Sequence, residues 1–424
     1  MSSVRIRMFR QGLGDCFLLT FDTGDAPKQV LIDCGVLKGT PDSGQRMLAV
    51  AEAIRDETGG HLDVLVATHE HWDHLSGFHQ AREVFEGLAI DDVWLAWTED
   101  RADDIADSLR MHRQRALKAV EAAAQRLGAC EGEVETRIAD RLVALLDFED
   151  GLGAAGGATT AAAMQWVAAR KPESKPFLRP GDQLSAGESG LGGDVRTYVL
   201  GPPRDVKQIK RSDPSRRAPE VYELAVSAAA DRAFYAAVES LGDGEEAEEQ
   251  PFVRYYRFDQ DDPDTQKRFA DYLDERQAWR RIDNDWLGVA GRLALHLDSD
   301  TNNTSLALAF ELGPDGPVLL FPGDAQVGNW LSWEALRWTV DEASGSPPRV
   351  VSADDLLART ILYKVGHHAS HNATLRERGL ELMTSRDLVA MIPVNRVTAR
   401  KQGWNMPFPP LFKRLEEKTE GRIL

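Results

Sequence analysis

The chain is short of cysteine, of positive charge relative to negative, and of uninterrupted apolar sequence. Three cysteines in 424 residues, Cys16, Cys34 and Cys130, cannot build a disulfide framework. Cys16 and Cys34 fall in strand-like segments and read as buried free thiols. No apolar run approaches the ~20 residues that a membrane-spanning helix needs. The start, Met1-Ser2-Ser3-Val4-Arg5-Ile6-Arg7, lacks the hydrophobic stretch of a signal peptide. A cytoplasmic protein with no membrane association is expected. Lysine and arginine total 50 against 68 aspartates and glutamates, a net charge of −18. That balance excludes a protein that grips duplex nucleic acid with its whole surface, because phosphate contacts require Lys and Arg. No repeat of solenoid period is visible.

With a hydrophobic share of 42% and a charged share of 28%, the chain reads as soluble and globular. Its length suits two or three average domains, or one domain with large insertions. The densest chemistry lies in Thr68-His69-Glu70-His71-Trp72-Asp73-His74, where three imidazoles and two carboxylates occupy six consecutive positions. Imidazole and carboxylate suit Zn²⁺, with Mn²⁺ or Fe as alternatives. One metal could not comfortably use every ligand of so short a loop. The spacing His-x-His-x-Asp-His therefore predicts two adjacent cations, with His69 and His71 on one and Asp73 and His74 on the other. The apolar run Leu62 to Ala67 before the motif reads as a buried strand. The motif thus sits at a strand's carboxyl end, where open α/β sheets usually place their chemistry.

Along the chain, residues 1–98 are β-rich, with alternation in Val4, Ile6 and Met8 and apolar runs at Phe17–Phe21, Val30–Ile32 and Val93–Trp97. Residues 99–172 change character, with Leu109, Ala116, Val120, Ala123 and Leu127 at helical spacing, and read as an α-helical insertion. Residues 173–203 return to the sheet through Val195–Leu200. Residues 204–285 form a second, charged helical insertion. It opens with a basic cluster, Arg204, Lys207, Lys210, Arg211, Arg216 and Arg217, read as either a solvated loop or a substrate-facing one. Residues 286–424 supply the second β-rich half.

The motif loop resembles the signature of the metallo-β-lactamase-fold hydrolases, and four further landmarks follow in the family's order. They are Gly12-Leu13-Gly14-Asp15, the strand ending in Asp33-Cys34-Gly35, the strand leading to Pro322-Gly323-Asp324, and Gly366-His367-His368-Ala369-Ser370. Asn302-Asn303-Thr304-Ser305 is similar to the branch that includes the hydrolase domain of competence DNA-uptake channels and phosphodiester-cleaving relatives. The resemblance covers roughly residues 1–98, 176–202 and 286–424. It implies an α/β fold, an αββα sandwich carrying two largely α-helical insertions.

The resemblance also implies two divalent metal ions sharing a hydroxide, with Asp324 bridging them and His367 completing the second metal's shell. Asp73 is expected both to ligate and to orient the hydroxide. Many members supply a third His to the first metal, for which the candidates here are His296, or Asn302 or Asn303 as weaker substitutes. His368 and His371 remain for protonating the leaving oxygen or binding phosphate, or as neighbours without a chemical role. Asp33 is expected to accept a hydrogen bond from a metal ligand. An acidic residue usually holds the position of His71 in the oxygen-reducing diiron branch, so His71 favours hydrolysis. Trp330, Trp333 and Trp404 are candidates to wall a cleft, with core packing expected for at least two. The expected activity is hydrolysis of a phosphodiester, in a small molecule or a nucleic acid. Hydrolysis of a lactone, thioester or β-lactam is the alternative, and a scaffold whose helical insertions bind a protein partner is the non-enzymatic one.

Overall fold

The computed structural model describes residues 3–24, 26–129, 159–173, 175–211, 262–273, 297–340 and 348–424, with single positions between 136 and 146. The chain divides into two compact units. The first comprises Met1–Leu109, Asp147–Val226 and Asp298–Leu424; the second comprises Arg110–Leu146 and Ser227–Leu297.

The first unit is built on two sheets. One has the order β1 (Ser3–Met8), β2 (Cys16–Asp22), β3 (Lys28–Cys34), β4 (His61–Val66) and β5 (Ala89–Trp94). Its first three strands run antiparallel, and β3, β4 and β5 are mutually parallel. The other contains β6 (Gln183–Leu184), β7 (Val195–Gly201), β8 (Ala307–Leu312), β9 (Val318–Phe321), β12 (Thr360–Lys364) and β13 (Val389–Met391), adjacent in the reverse of that order. Its strands β9, β12 and β13 are parallel. Strands β10 (Arg337–Val340) and β11 (Arg349–Ser352) pair separately as an antiparallel ribbon.

Both faces of each sheet are apolar, and the period-two alternation decides which residue goes where. Phe17, Leu19, Phe21, Val64 and Val66 of the first sheet join Leu308, Phe310, Leu319 and Phe321 of the second in one cluster between the sheets. The intervening residues Cys16, Leu18 and Leu65 meet helix α1 (Ser43–Thr58), helix α2 (Trp72–Gln80) and α3 (Arg82–Glu86) through Met47, Ile54, Leu75, Phe78 and Phe85. On the second sheet, Ala307, Ala309, Leu320 and Tyr363 meet Val327, Trp330, Leu356, Leu357, Leu411 and Leu415 of the helices Val327–Ser332, Ala353–Ala358 and Pro409–Lys418. The result is an α/β unit in which two facing sheets each carry helices on the outer side.

The helix Thr160–Ala168, assigned from sequence to the insertion 99–172, packs instead on the first sheet's helical layer through Ala163, Met164, Trp166 and Val167. Its alternation of small and large apolar residues suited a helix–helix contact, and sequence did not show with which partner. The second unit has its own cluster, in which Ala116, Val120, Ala123 and Leu127 of α4 (Asp104–Gly128) pack with Leu142, Leu146 and Leu297. Among the described residues, no helix is long and apolar enough to cross a membrane.

Phe310 lies at the centre of the inter-sheet layer. Its ring stands 5.7 Å from Phe21, 6.1 Å from Phe321 and 6.4 Å from Trp94, and it is fully buried. Truncating such a side chain leaves a cavity that rigid strands cannot close. Phe310→Ala is therefore expected to lower the unfolding free energy by about 3–5 kcal/mol. Denaturant unfolding checks this, and a loss below about 1 kcal/mol would show that the layer repacks.

Candidate metal centre

Four chain segments deliver polar side chains to one buried place, each from the carboxyl end of a strand. Asp33 ends β3, the Thr68–His74 loop follows β4, Asp324 follows β9, and His367 and His368 follow β12. Parallel neighbours bring these ends to the same edge, the position in open α/β sheets where ligands gather.

Local backbone geometry aims the side chains. Cys16 pairs with Cys34 and Phe17 with Ile32, so Asp33 is an extra residue in β3. It sits in the left-handed region at φ 56°. Bulges of this kind re-aim a side chain, and aspartate tolerates the conformation better than most residues. The re-aimed carboxylate accepts from the Thr68 backbone N–H (2.8 Å), the Thr68 hydroxyl (2.7 Å) and His74 Nδ1 (2.8 Å). His367, His368 and Ala369 all have positive φ, at 41°, 50° and 61°. Each such residue costs about 1 kcal/mol or more, and strain of this kind collects at functional sites. Gly35 lets the Asp73 backbone come close: a Cβ there would collide with the Asp73 carbonyl.

The imidazoles share one arrangement, with one ring nitrogen held from behind and the other directed at the cluster. His74 Nδ1 is held by Asp33 and its Nε2 faces Asp324 Oδ2 at 3.2 Å. His368 Nδ1 is held by the Pro393 carbonyl at 2.7 Å and its Nε2 meets Asp73 Oδ2 at 2.7 Å. His69 Nδ1 lies 3.0 Å from the Thr68 hydroxyl, and its Nε2 faces His71 Nδ1 at 3.0 Å. Behind His71, Asp298 Oδ1 stands 3.9 Å from Nε2. Metal-ligating histidines are held in this way, because a rear partner fixes tautomer and ring orientation.

Asp73, His74, Asp324 and His368 each offer one atom, all within 4.8 Å of one another, and this buried group could hold a metal ion. Asp73 Oδ1 has no hydrogen-bond partner, and His74 Nε2 has its ion pair with Asp324 but no aligned hydrogen bond. A buried polar atom left unpaired costs roughly 1–3 kcal/mol, and a cation coordinated by both would remove that cost. The donor set fits a divalent transition metal.

The candidates from sequence separate on this geometry. His69, His71, Asp73, His74 and Asp324 converge. His368, assigned to the leaving group or phosphate, lies inside the carboxylate cluster. His367, assigned to the second metal, turns its Nδ1 to Ser370 (2.8 Å) and Gln326 (3.1 Å). His371 is exposed, its ring edge-on to Phe408 at 6.2 Å. His296 lies outside the described residues. Asn303 spends its amide on the Ile209 and Arg211 carbonyls and on the N–H groups of Gln326 and Asn329, which rules it out as a substitute ligand. Asn302 donates to Asp298 Oδ2 at 3.2 Å, and its buried Oδ1 has no partner. Trp330 and Trp333 are core residues with ring centroids 4.1 Å apart. Trp330 Nε1 donates to the carbonyls of Ala325 and Ala373, which braces the turns on either side of the cluster. Trp404 packs beside Leu13, Leu37 and Ala399.

Three contributors carried no role in the sequence reading. Asp15 follows Gly14 in a quoted landmark, and Lys364 is a lone charge ending an apolar strand, a pattern that could have drawn notice. Asp298 had no signal of its own. Lys364 Nζ donates to Asp324 Oδ1 and to the Gly323 carbonyl, each at 2.9 Å, and pairs with Asp15.

Charge sorts the group. Burial opposes protonation of His74, but Asp324, Asp15, Asp73 and Asp33 outweigh it and push its pKa well above 6.5. Burial likewise opposes the His368 charge, but the hydrogen bond that its Nε2 donates to the Asp73 carboxylate raises its pKa overall. His367, with burial dominant, is pushed down to about 4, and His69 is also lowered well below 6.5 by burial and by His74. Burial would raise the Asp73 carboxyl, yet His74 and the His368 hydrogen bond hold it at about 2.

No family model matches this sequence, and no curated protein or solved structure does either.

These shifts fix the pH response of the metal-free protein. His74 and His368 have raised folded pKa values, so their stabilisation is complete below 6.5 and fades as pH rises above it. His69 and His367 have lowered values, so the unfolded chain takes up protons first as pH falls from 6.5 toward about 4. Thermal unfolding with chelator present should therefore show a maximum Tm near pH 6.5. A monotonic profile from pH 4 to 9 would contradict the charge assignment.

Proposed function

We propose that the chain is a metal-dependent hydrolase of the metallo-β-lactamase fold, acting on a phosphodiester with two divalent cations, most naturally Zn²⁺. The observation that carries this reading is the convergence of Asp73, His74, Asp324 and His368 beside the facing pair His69 and His71, with Asp73 Oδ1 buried and without a hydrogen bond. The two facing sheets with outer helices, and the site at their shared strand ends, support the fold assignment. Bound divalent cations supply an activated water at neutral pH and offset the charge of a phosphate.

The protein's own part is to hold ligands and exclude solvent. His69 Nε2 and His71 Nδ1 would face one cation; His74 Nε2, Asp73, Asp324 Oδ2 and His368 Nε2 would face the other. Asp73 stays ionised across the physiological range and so can ligate and accept a hydrogen bond from water, leaving proton donation to another group. His368, held between Asp73 and Pro393, is fixed within the cluster and not free to turn toward a leaving group.

An anionic substrate is favoured by what Asn303 does. It ties the backbone of Ile209 and Arg211 to the turn beside Asn302, whose amide holds Asp298 behind His71. The exposed Lys207 and Lys210 are thereby anchored on a segment joined to the site's own wall. Cations so placed would attract phosphate, and a neutral lactone or thioester would gain nothing from them.

Purified protein reconstituted with Zn²⁺ or Mn²⁺ is expected to hold about two metals per chain and to hydrolyse bis-p-nitrophenyl phosphate faster than any member of a lactone and thioester panel. Asp73→Asn should lower that rate by about 100- to 1000-fold while Tm in chelator stays close to wild type. Metal-free protein after reconstitution would refute the enzyme reading, and a preference for lactones would replace the substrate class.

A further inference from the structure

The geometry points to Lys364 as a positioning residue that, backed by Asp15, fixes which oxygen Asp324 can present to a metal. This inference rests on the metal-binding reading above. Lys364 is 1% exposed at the end of β12, and its ammonium has three donors to place. One goes to Asp324 Oδ1 at 2.9 Å, one to the Gly323 carbonyl at 2.9 Å, and Asp15 takes the third as an ion pair. Asp324 Oδ1 accepts a second hydrogen bond from the His367 backbone N–H at 2.8 Å. Both lone-pair directions of Oδ1 are then used, and the carboxylate plane is fixed.

Only Oδ2 is left for coordination. It lies 3.2 Å from His74 Nε2 and 4.0 Å from His368 Nε2, within the group Asp73, His74, Asp324 and His368 that could hold a metal ion. Asp324 thus acts as a one-oxygen ligand, and any contact it makes to a second cation uses that same atom. Asp15, the second carboxylate on Lys364, is itself held by the backbone: its N–H donates to the Asp73 carbonyl at 3.0 Å, and its carbonyl accepts from the Gly35 N–H at 2.9 Å. Through this pair, the turn at Gly14 and the turn at Gly323 are set relative to each other.

The test removes the clamp without changing net charge. The double variant Asp15→Asn with Lys364→Met deletes one negative and one positive group, so the net buried charge is unchanged and Asp324 keeps His74 as its ion-pair partner. Full-length wild type and variant are titrated with Co²⁺, followed by visible absorption, and Tm is recorded in chelator. The variant is expected to bind Co²⁺ about 10- to 100-fold more weakly, the effect usual for losing a partner of a metal ligand, with an altered absorption envelope and a Tm near wild type. Asp15→Asn alone, which keeps the bond from Lys364 to Asp324, should lose no more than about threefold. A folded double variant that binds Co²⁺ as wild type does would overturn the inference, as would an Asp15→Asn loss equal to that of the double. A crystal structure of the Zn²⁺-loaded wild type provides a test independent of folding. Lys364 Nζ still bonded to Oδ1, with only Oδ2 on metal, upholds the assignment; both oxygens on metal overturn it. Wild type that takes up no Co²⁺ would refute the metal reading itself, a result distinct from each of these.

Discussion

Everything at this site depends on burying like charges together. Asp15, Asp33, Asp73 and Asp324 are all at most 2% exposed and crowd round His74 and Lys364. Carboxylates brought this close out of water repel one another and lose their hydration, a cost of several kcal/mol per ion in real proteins. In the metal-free chain the opposing charge comes from Lys364 and from protons on His74 and His368. Divalent cations would replace those protons and supply more charge than they remove. The arrangement is therefore a standing demand for positive charge, met permanently by one lysine and exchangeably by whatever else binds.

Such a demand survives only in a stiff frame. The left-handed residues from His367 to Ala369 and the bulge at Asp33 are local losses, and the sheets carry them. Between the sheets, Phe17, Phe21, Phe310, Phe321 and Trp94 interlock with centroids 5.6–6.4 Å apart, so the strand ends have little freedom to drift. Trp330 joins the frame to the site by binding the carbonyls of Ala325 and Ala373 at once. The two outer helical layers differ in origin. One follows the strands in sequence, and the other takes in Thr160–Ala168 from beyond a long excursion of the chain.

Much of the centre was legible in the residues because its imidazoles and carboxylates come in short, chemically dense runs. His69, His71, Asp73 and His74 announce themselves within six positions, and Asp324 follows an apolar strand, where a carboxylate needs a reason. Choosing between His367 and His368 was beyond sequence. The two are adjacent and identical in chemistry, and φ at each decides which ring reaches Asp73. Asn303 looked like a ligand because amides can coordinate. Its actual partners, the carbonyls of Ile209 and Arg211, lie more than ninety positions away. Lys364 and Asp15 were visible as residues, but their pairing crosses most of the chain.

The sequence by itself determined which groups were on offer and at which strand ends: an imidazole–carboxylate loop, a late aspartate, a histidine pair, and alternating apolar strands able to form two sheets. Those features are local, set by residue type and by the two-residue period of a strand. Tertiary structure alone decided which nitrogen of each ring faces inward, which carboxylate stands behind which imidazole, and that Lys364 takes one oxygen of Asp324. These are relations between segments far apart in the chain. A side chain's chemistry is fixed by its atoms, but its role is fixed by the distance and direction of partners that only folding brings near.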